Sequence, residues 1–406
     1  MRRMLFLLLL FCHPVCAAST YDVRFSAQFE PDTGFAMASI TVDQDEHQLM
    51  LMDLAAPAGR FTDFTGDGKI TRDGRRLVWK VPASGGRLSY RVQVDHRRGS
   101  RYDARLAPDW AVLRLGDLFP PARTVTMDGA ESVSTLTLRG PKKWTFETRY
   151  GPVRGPLPVP NKTRRFDRPT GWLAAGRQGI RRETIAERRV VVAGPLNQGV
   201  RRLDILTFLR WTLPRLVRIF PAFPQQVLIV SAADEMWRGA LSGPDSLYLH
   251  ADRPLVSENG TSTLLHELVH VGARASTRGA DDWIVEGLAE FYSLEILRRS
   301  GGLSQARYQQ AFERLERWAK RENGRLTSPS SGPDTARATL LFRALDEELN
   351  DAEAGGLDAV ARRLLEHGPI RIERLDELLR KALDGPSAVL DRHLEAFAEP
   401  EPASAP

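Results

Sequence analysis

Along residues 20–155, apolar and polar positions alternate in short runs broken by Gly and Asp. Runs 36–42, 76–81, 88–94 and 134–138 carry this period of two, which puts successive side chains on opposite faces and predicts half-buried strands. Their β-branched and aromatic content, with regular turn signals, points to a β-sandwich or similar domain. The stretch 152–168 is rich in Pro and Arg and reads as a loop or linker, and 182–193 (RETIAERRVVVA) contains the clearest strand of a mixed segment.

From about residue 200 the period lengthens to that of a helix. Segment 203–220 predicts a helix, while QVLIVS at 226–231 is short, apolar and β-branched, as a buried strand is. Residues 246–250 predict another strand, one that could receive a substrate backbone as a sheet edge. Helices are predicted over 261–274, 282–299, 306–321, 335–349, 357–365 and 373–383. The expected organisation is a leader at 1–18, an N-terminal β-domain at 19–155, a linker and mixed β segment at 156–200, a helical region at 201–398 and a disordered tail at 399–406 (EPEPASAP). The fold class is thus α+β and multidomain.

Composition narrows the picture little. Of 406 residues, 42% are hydrophobic and 27% charged, which excludes wholesale disorder and a polytopic membrane protein. The net charge is +6, and the arginine runs near 162–165 and 181–189 lack interleaved aromatics, so no nucleic-acid partner is expected. The opening MRRMLFLLLLFCHPVCAAST has two arginines, a short apolar core and small residues at 16–18, the pattern of a cleaved secretory signal. The core is too short to span a bilayer, so an exported chain, periplasmic or secreted, without a stable membrane span is expected. Both cysteines, Cys12 and Cys16, lie in that segment. The mature chain then has no disulfide, no thiolate metal ligand and no thiol nucleophile.

The chemistry concentrates in 261–295, TSTLLHELVHVGARASTRGADDWIVEGLAEFYSLE. His266 and His270 lie four apart, one helical turn, so both imidazoles can reach one Zn2+ ion with Glu267 beside them as general base. Such a zinc needs a third protein ligand and an open position, and Glu286 on the next helix is the natural candidate. Glu290, one turn further, could accept a bond from a ligating histidine and fix its tautomer. By contrast, the run 63–70 (DFTGDGKI) starts like a calcium loop but has Gly74 at position twelve, so it is read as a turn.

HELVH followed by WIVEGLAEFY resembles the gluzincin zinc metallopeptidases, and within them most nearly the glycyl aminopeptidase family. The resemblance implies an N-terminal β-sandwich-like domain followed by a thermolysin-like, mainly helical catalytic domain that hydrolyses peptide or protein substrates. It implies His266, His270 and Glu286 as zinc ligands, Glu267 as the glutamate that takes a proton from zinc-bound water, and Glu290 as a support for a histidine. The chain departs from the family in three places. Fifteen residues separate His270 from Glu286, which calls for a tight loop at 274–281. The Gly-rich stretch 239–243 (GALSG) lacks the acid that anchors a substrate amine in aminopeptidases. Where the family has its oxyanion tyrosine, this chain reads GPDTAR at 332–337, leaving Tyr248, His250 or Tyr308 as substitutes. A zinc-binding but catalytically weak binding or assembly module is the alternative reading.

Overall fold

The computed structural model describes residues 19–160, 166–274, 281–320, 330, 332–366 and 370–397. The signal segment, its two cysteines, most of the 274–281 loop and the 399–406 tail lie outside the described residues.

Among the described residues up to 195, the regular structure is strand apart from one 3-10 turn at Leu115–Asp117. Alternation drives this. In Thr20–Glu30, residues Tyr21, Val23, Phe25, Ala27 and Phe29 turn inward while the intervening positions face out. That strand lies at the centre of a six-stranded sheet, between Phe35–Asp43 on one side and, in parallel, Glu131–Arg139 on the other. A second six-stranded sheet runs from Gly151–Pro152 through Thr145–Thr148, Trp172–Gly176, Trp110–Arg114 and Arg101–Leu106 to His96–Arg98. A four-stranded sheet contains Leu49–Leu54 and Arg76–Lys80. One apolar cluster, including Phe25, Trp79, Tyr90 and Phe119, joins these sheets.

The remaining sheet has five strands, ordered Gln178–Ile185, Arg188–Pro195, Gln226–Ala232, Ser246–His250, Ala240–Gly243. Among the described residues, eight helices follow residue 201: α1 (Arg202–Ile219), α2 (Thr263–Ala273), α3 (Asp282–Arg299), α4 (Gln305–Ala319), α5 (Gly332–Asp351), α6 (Leu357–Leu364), α7 (Ile372–Leu383) and α8 (Ala388–Phe397). Strands Gln226–Ala232 and Ser246–His250 are nearly continuous in apolar residues because both faces are covered. One face packs on the helices through Val227, Ile229, Leu247 and Leu249. The other packs on the second sheet through Leu228, Val230 and Tyr248, against Trp110, Val112 and Trp172.

Two segments take a finer form in the structure, and one expectation needs correction. The run 182–193 contains most of the strand Arg188–Pro195, which pairs with Gln178–Ile185 in a hairpin turned at Ala186 and Glu187, both at positive φ. The segment 156–200 contributes strands to three sheets. Leu157–Val159 and Trp172–Gly176 join the first two sheets, and Gln178–Ile185 with Arg188–Pro195 starts the five-stranded one. Finally, Ser246–His250 is not an edge. It pairs in parallel with Gln226–Ala232 and antiparallel with Ala240–Gly243, which is itself the edge. Among the described residues no helix is long and apolar enough to cross a membrane.

Candidate metal centre

Helix α2 forms because Ser262 caps it, accepting the Leu265 N–H at 3.3 Å, and because Leu264, Leu265, Leu268, Val269 and Val271 give it a buried stripe. His266, Glu267 and His270 fall on the remaining, half-buried side. The helix stops at Arg274, whose left-handed conformation lets its N–H return to the His270 carbonyl.

Helix α3 runs through the helical core, with Trp283, Ile284, Val285, Leu288 and Ala289 buried around Glu286. Gly287 is a packing requirement. A Cβ there would lie 2.5 Å from the Ala338 Cβ, so only glycine lets α5 cross this closely.

The two helices bring three donors to one point. His266 Nε2 and His270 Nε2 are 3.2 Å apart, and each lies 3.4 Å from a Glu286 carboxylate oxygen. Tetrahedral zinc with bonds of about 2.0–2.1 Å separates its ligand atoms by about 3.3–3.4 Å. The trio therefore fits that ion in spacing and in donor chemistry, since two imidazoles and one carboxylate suit zinc rather than calcium or magnesium. Side-chain exposures of 15% for His270, 18% for His266 and 35% for Glu286 leave the point reachable by water and a small ligand.

Glu290 completes the surroundings. His266 Nδ1–H donates to Glu290 Oε2 at 3.1 Å, which leaves Nε2 facing the other donors. Burial disfavours charge on His266, but the carboxylates of Glu286 and Glu290 outweigh it and push its pKa up to about 10. Burial also acts to raise Glu286, yet the two imidazoles more than reverse this and hold its carboxyl well below the usual range. Protons and a metal ion compete for these same atoms.

The three oxyanion candidates lie elsewhere. Side chains alternate along Ser246–His250, so Leu247 and Leu249 face the helices while Tyr248 faces the second sheet. Tyr248 stacks on Trp172 at 5.2 Å and donates its hydroxyl to the Trp237 carbonyl at 3.0 Å. His250 shares that parity. Its Nδ1 accepts the Asp252 N–H at 3.2 Å, its Nε2 lies 3.3 Å from Asp234, and burial lowers its pKa against the pull of Asp252 and Asp234. Tyr308 packs in the helical core against Phe312, beneath the Arg298 guanidinium.

Sequence reasoning missed the strand beside the site. Ala240–Gly243 packs against α2 at the free edge of the five-stranded sheet. His250 N–H donates to the Gly239 carbonyl, so the ladder pairs 239 with 250, 241 with 248 and 243 with 246. The backbone groups of Ala240 and Ser242 then point outward, free to pair with an extended chain.

No family model matches this chain, and no curated protein matches it by sequence. Its fold matches solved structures. An aminopeptidase N family protein from Idiomarina loihiensis superposes with a TM-score of 0.68 at 14% identity, over 92% of this chain and 78% of that one. An M1 zinc metallopeptidase from Deinococcus radiodurans gives 0.59 at 14% identity, over 96% of both chains. A variant of the Deinococcus protein bound to a Tyr-Ser-Ala substrate gives 0.60 at 14% identity, over 94% of this chain and 95% of that one. The chain has the fold of the M1 zinc metallopeptidases. That agrees with the gluzincin resemblance of its motifs, although these structures carry the M1 name and not that of the glycyl aminopeptidases.

Proposed function

We propose that this protein is an exported zinc-dependent metallopeptidase. The observation that carries the reading is the spacing of His266 Nε2, His270 Nε2 and the Glu286 carboxylate at 3.2–3.4 Å, on a fold shared with M1 peptidases. His266, His270 and Glu286 would hold the zinc, and Glu290 orients the His266 ring through its Nδ1–H. When bound, zinc supplies Lewis acidity to a scissile carbonyl and lowers the pKa of a water. Glu267, beside His266 on α2, would act as general base, its carboxylate taking a proton from the water that adds to the scissile carbonyl and passing it to the amine nitrogen as the C–N bond breaks. The outward backbone groups of Ala240 and Ser242 hold the peptide in extended form alongside α2. The order of a β-rich segment, then the five-stranded sheet, then helices supports a thermolysin-like catalytic half. The apolar leader supports export.

The burial of Tyr248 and Tyr308 away from the trio favours the second reading, a zinc-binding module with weak catalysis. Lacking one oxyanion donor costs about 10²–10³ in rate. Incubating the mature protein with an unbiased peptide mixture, reading products by mass spectrometry and using Glu267→Gln as control separates the two. Cleavage that disappears in the variant establishes the peptidase, and the cut positions decide endo- against exopeptidase. Zinc at one equivalent without cleavage establishes the module. Wild-type zinc content in Glu286→Ala would overturn both.

A further inference from the structure

Helix α2, which carries two of the metal trio, packs against the edge strand Ala240–Gly243, and one carboxylate ties the two together. Pro244 and Asp245 form the two-residue turn between the edge strand and Ser246–His250, with Asp245 at φ +45. Its Oδ1 lies 3.3 Å from Arg274 Nη2, the residue that ends α2. Its Oδ2 lies 2.5 Å from Arg149 Nη2, on the far side of the turn. Arg149 follows Thr145–Thr148 in the second β-sheet and is itself held, donating Nη1–H to Thr170 Oγ1 at 2.9 Å and accepting from Gln226 Nε2 on its carbonyl. The carboxylate of Asp245 and the guanidinium of Arg149 are only 17% and 16% exposed, so solvent screens this contact less than an ordinary surface pair.

The β-rich part also grips the edge strand directly. Trp172 Nε1–H donates to the Leu241 carbonyl at 2.9 Å, and the Trp172 backbone N–H donates to Ser246 Oγ at 2.9 Å. The edge hairpin is therefore fixed to the second sheet. Helix α2 is short, and its last turn is referenced to that hairpin through Arg274 and Asp245.

We propose that Asp245 is a positioning residue: by joining Arg274 at the end of α2 to Arg149 of the second β-sheet, it sets the width of the groove in which a peptide pairs with Ala240–Gly243. The proposal rests on the peptidase reading. It assigns to the β-rich part of the chain a direct part in substrate affinity, transmitted through one carboxylate. Asp245 touches neither substrate nor reacting atoms, so its loss acts on binding geometry rather than on proton transfer.

Asp245→Asn is the clean variant, because asparagine accepts positive φ and keeps the turn while removing the charge. Arg274→Gln, at a residue 40% exposed, approaches the same link from a site that tolerates change. The measurements are KM and kcat for a cleaved peptide, zinc content, and amide exchange of 263–273 in the zinc-loaded full mature chain. Each single variant is expected to raise KM about tenfold, with kcat and zinc content near wild type and faster exchange in the last turn of α2. The double variant is expected to be no worse than either single one, since both break one link. Arg274→Lys should recover most of the affinity. Wild-type KM and exchange in Asp245→Asn would overturn the proposal, and so would additive losses in the double variant. If the wild type cleaves nothing, the peptidase reading fails, and amide exchange alone decides the link: faster exchange in Asp245→Asn keeps it, unchanged exchange removes it.

Discussion

Helix α3 carries Glu286 and Glu295 nine positions apart, and they have become different things. Glu286 faces the imidazoles of His266 and His270 and keeps 35% of its side chain exposed. Glu295 is 2% exposed and lies between Arg298 and Arg299, 2.6 Å from Arg299 Nε. In both, burial raises the carboxyl pKa and the neighbouring cations bring it below the usual value. A shifted pKa therefore does not tell the two apart. The partners do. Arginine is permanently charged and binds a carboxylate through a fork of donors, and here Arg298, Arg299 and the Tyr308 hydroxyl together fill Glu295. Histidine can shed its proton and offer a lone pair, so the Glu286 cluster can exchange protons for a metal while the Glu295 cluster is closed.

The largest effect expected at the open cluster is on turnover. Glu267→Gln should lower kcat by about 10²–10⁴ while zinc content stays near one equivalent, measured by metal analysis beside peptide assays. Retained turnover would remove Glu267 from the proton transfer. At the closed cluster, loss of a carboxylate should act on stability. Glu295→Ala takes away the partner of the half-exposed Arg298 and leaves Arg299 with Asp358 alone, and should cost about 1–3 kcal/mol, seen as a lower denaturant midpoint, with zinc still bound in the folded protein. Loss of zinc without loss of stability would reverse the distinction between the two ends of α3.

Next is Glu290→Gln. Glutamine can still accept the His266 Nδ1–H but without charge, so about 10–100-fold in zinc affinity or activity should be lost, measured by chelator competition. An unchanged affinity would show that ring orientation, which glutamine preserves, is all that Glu290 provides.

How far the sequence reached depended on whether a feature is local. HExxH, Glu286 and Glu290 were legible because a spacing of four on one helix fixes a shared face. The helix at 282–299 was legible from its length and its start at Asp281 and Asp282 rather than from a one-sided stripe, since it is buried nearly all round. The edge strand was not. Gly, Ala and Ser have weak strand propensity, and 240–243 is a strand because Ser246–His250 pairs with it. Nor could the burial of Tyr248 be read. Which parity of a doubly covered strand faces the helices depends on what packs on each side, here Trp172 on one and α2 on the other. The Asp245 link joins residues 149, 245 and 274 and leaves no periodic trace. Helix α8 lies within the region 201–398 read as helical, though no separate helix was predicted over its residues.

The smallest effect sharpens the comparison between the ends of α3 by acting between them. Gly287 adjoins Glu286, and α5 crosses there so closely that an added Cβ would meet the Ala338 Cβ at 2.5 Å and its backbone carbonyl carbon at 3.0 Å. Backbone cannot rotate away as a side chain can, so Gly287→Ala must push α5 outward or slide α3. The cost should be about 1–3 kcal/mol in stability. If α5 yields, the Glu286 carboxylate stays with the histidines and zinc affinity is unchanged. If α3 slides, Glu286 leaves the trio, and zinc affinity falls with stability. Measuring both in one variant shows whether the open cluster is anchored by its own helix pair or by the crossing of α5, and equal stability to wild type would show that the crossing is looser than its geometry.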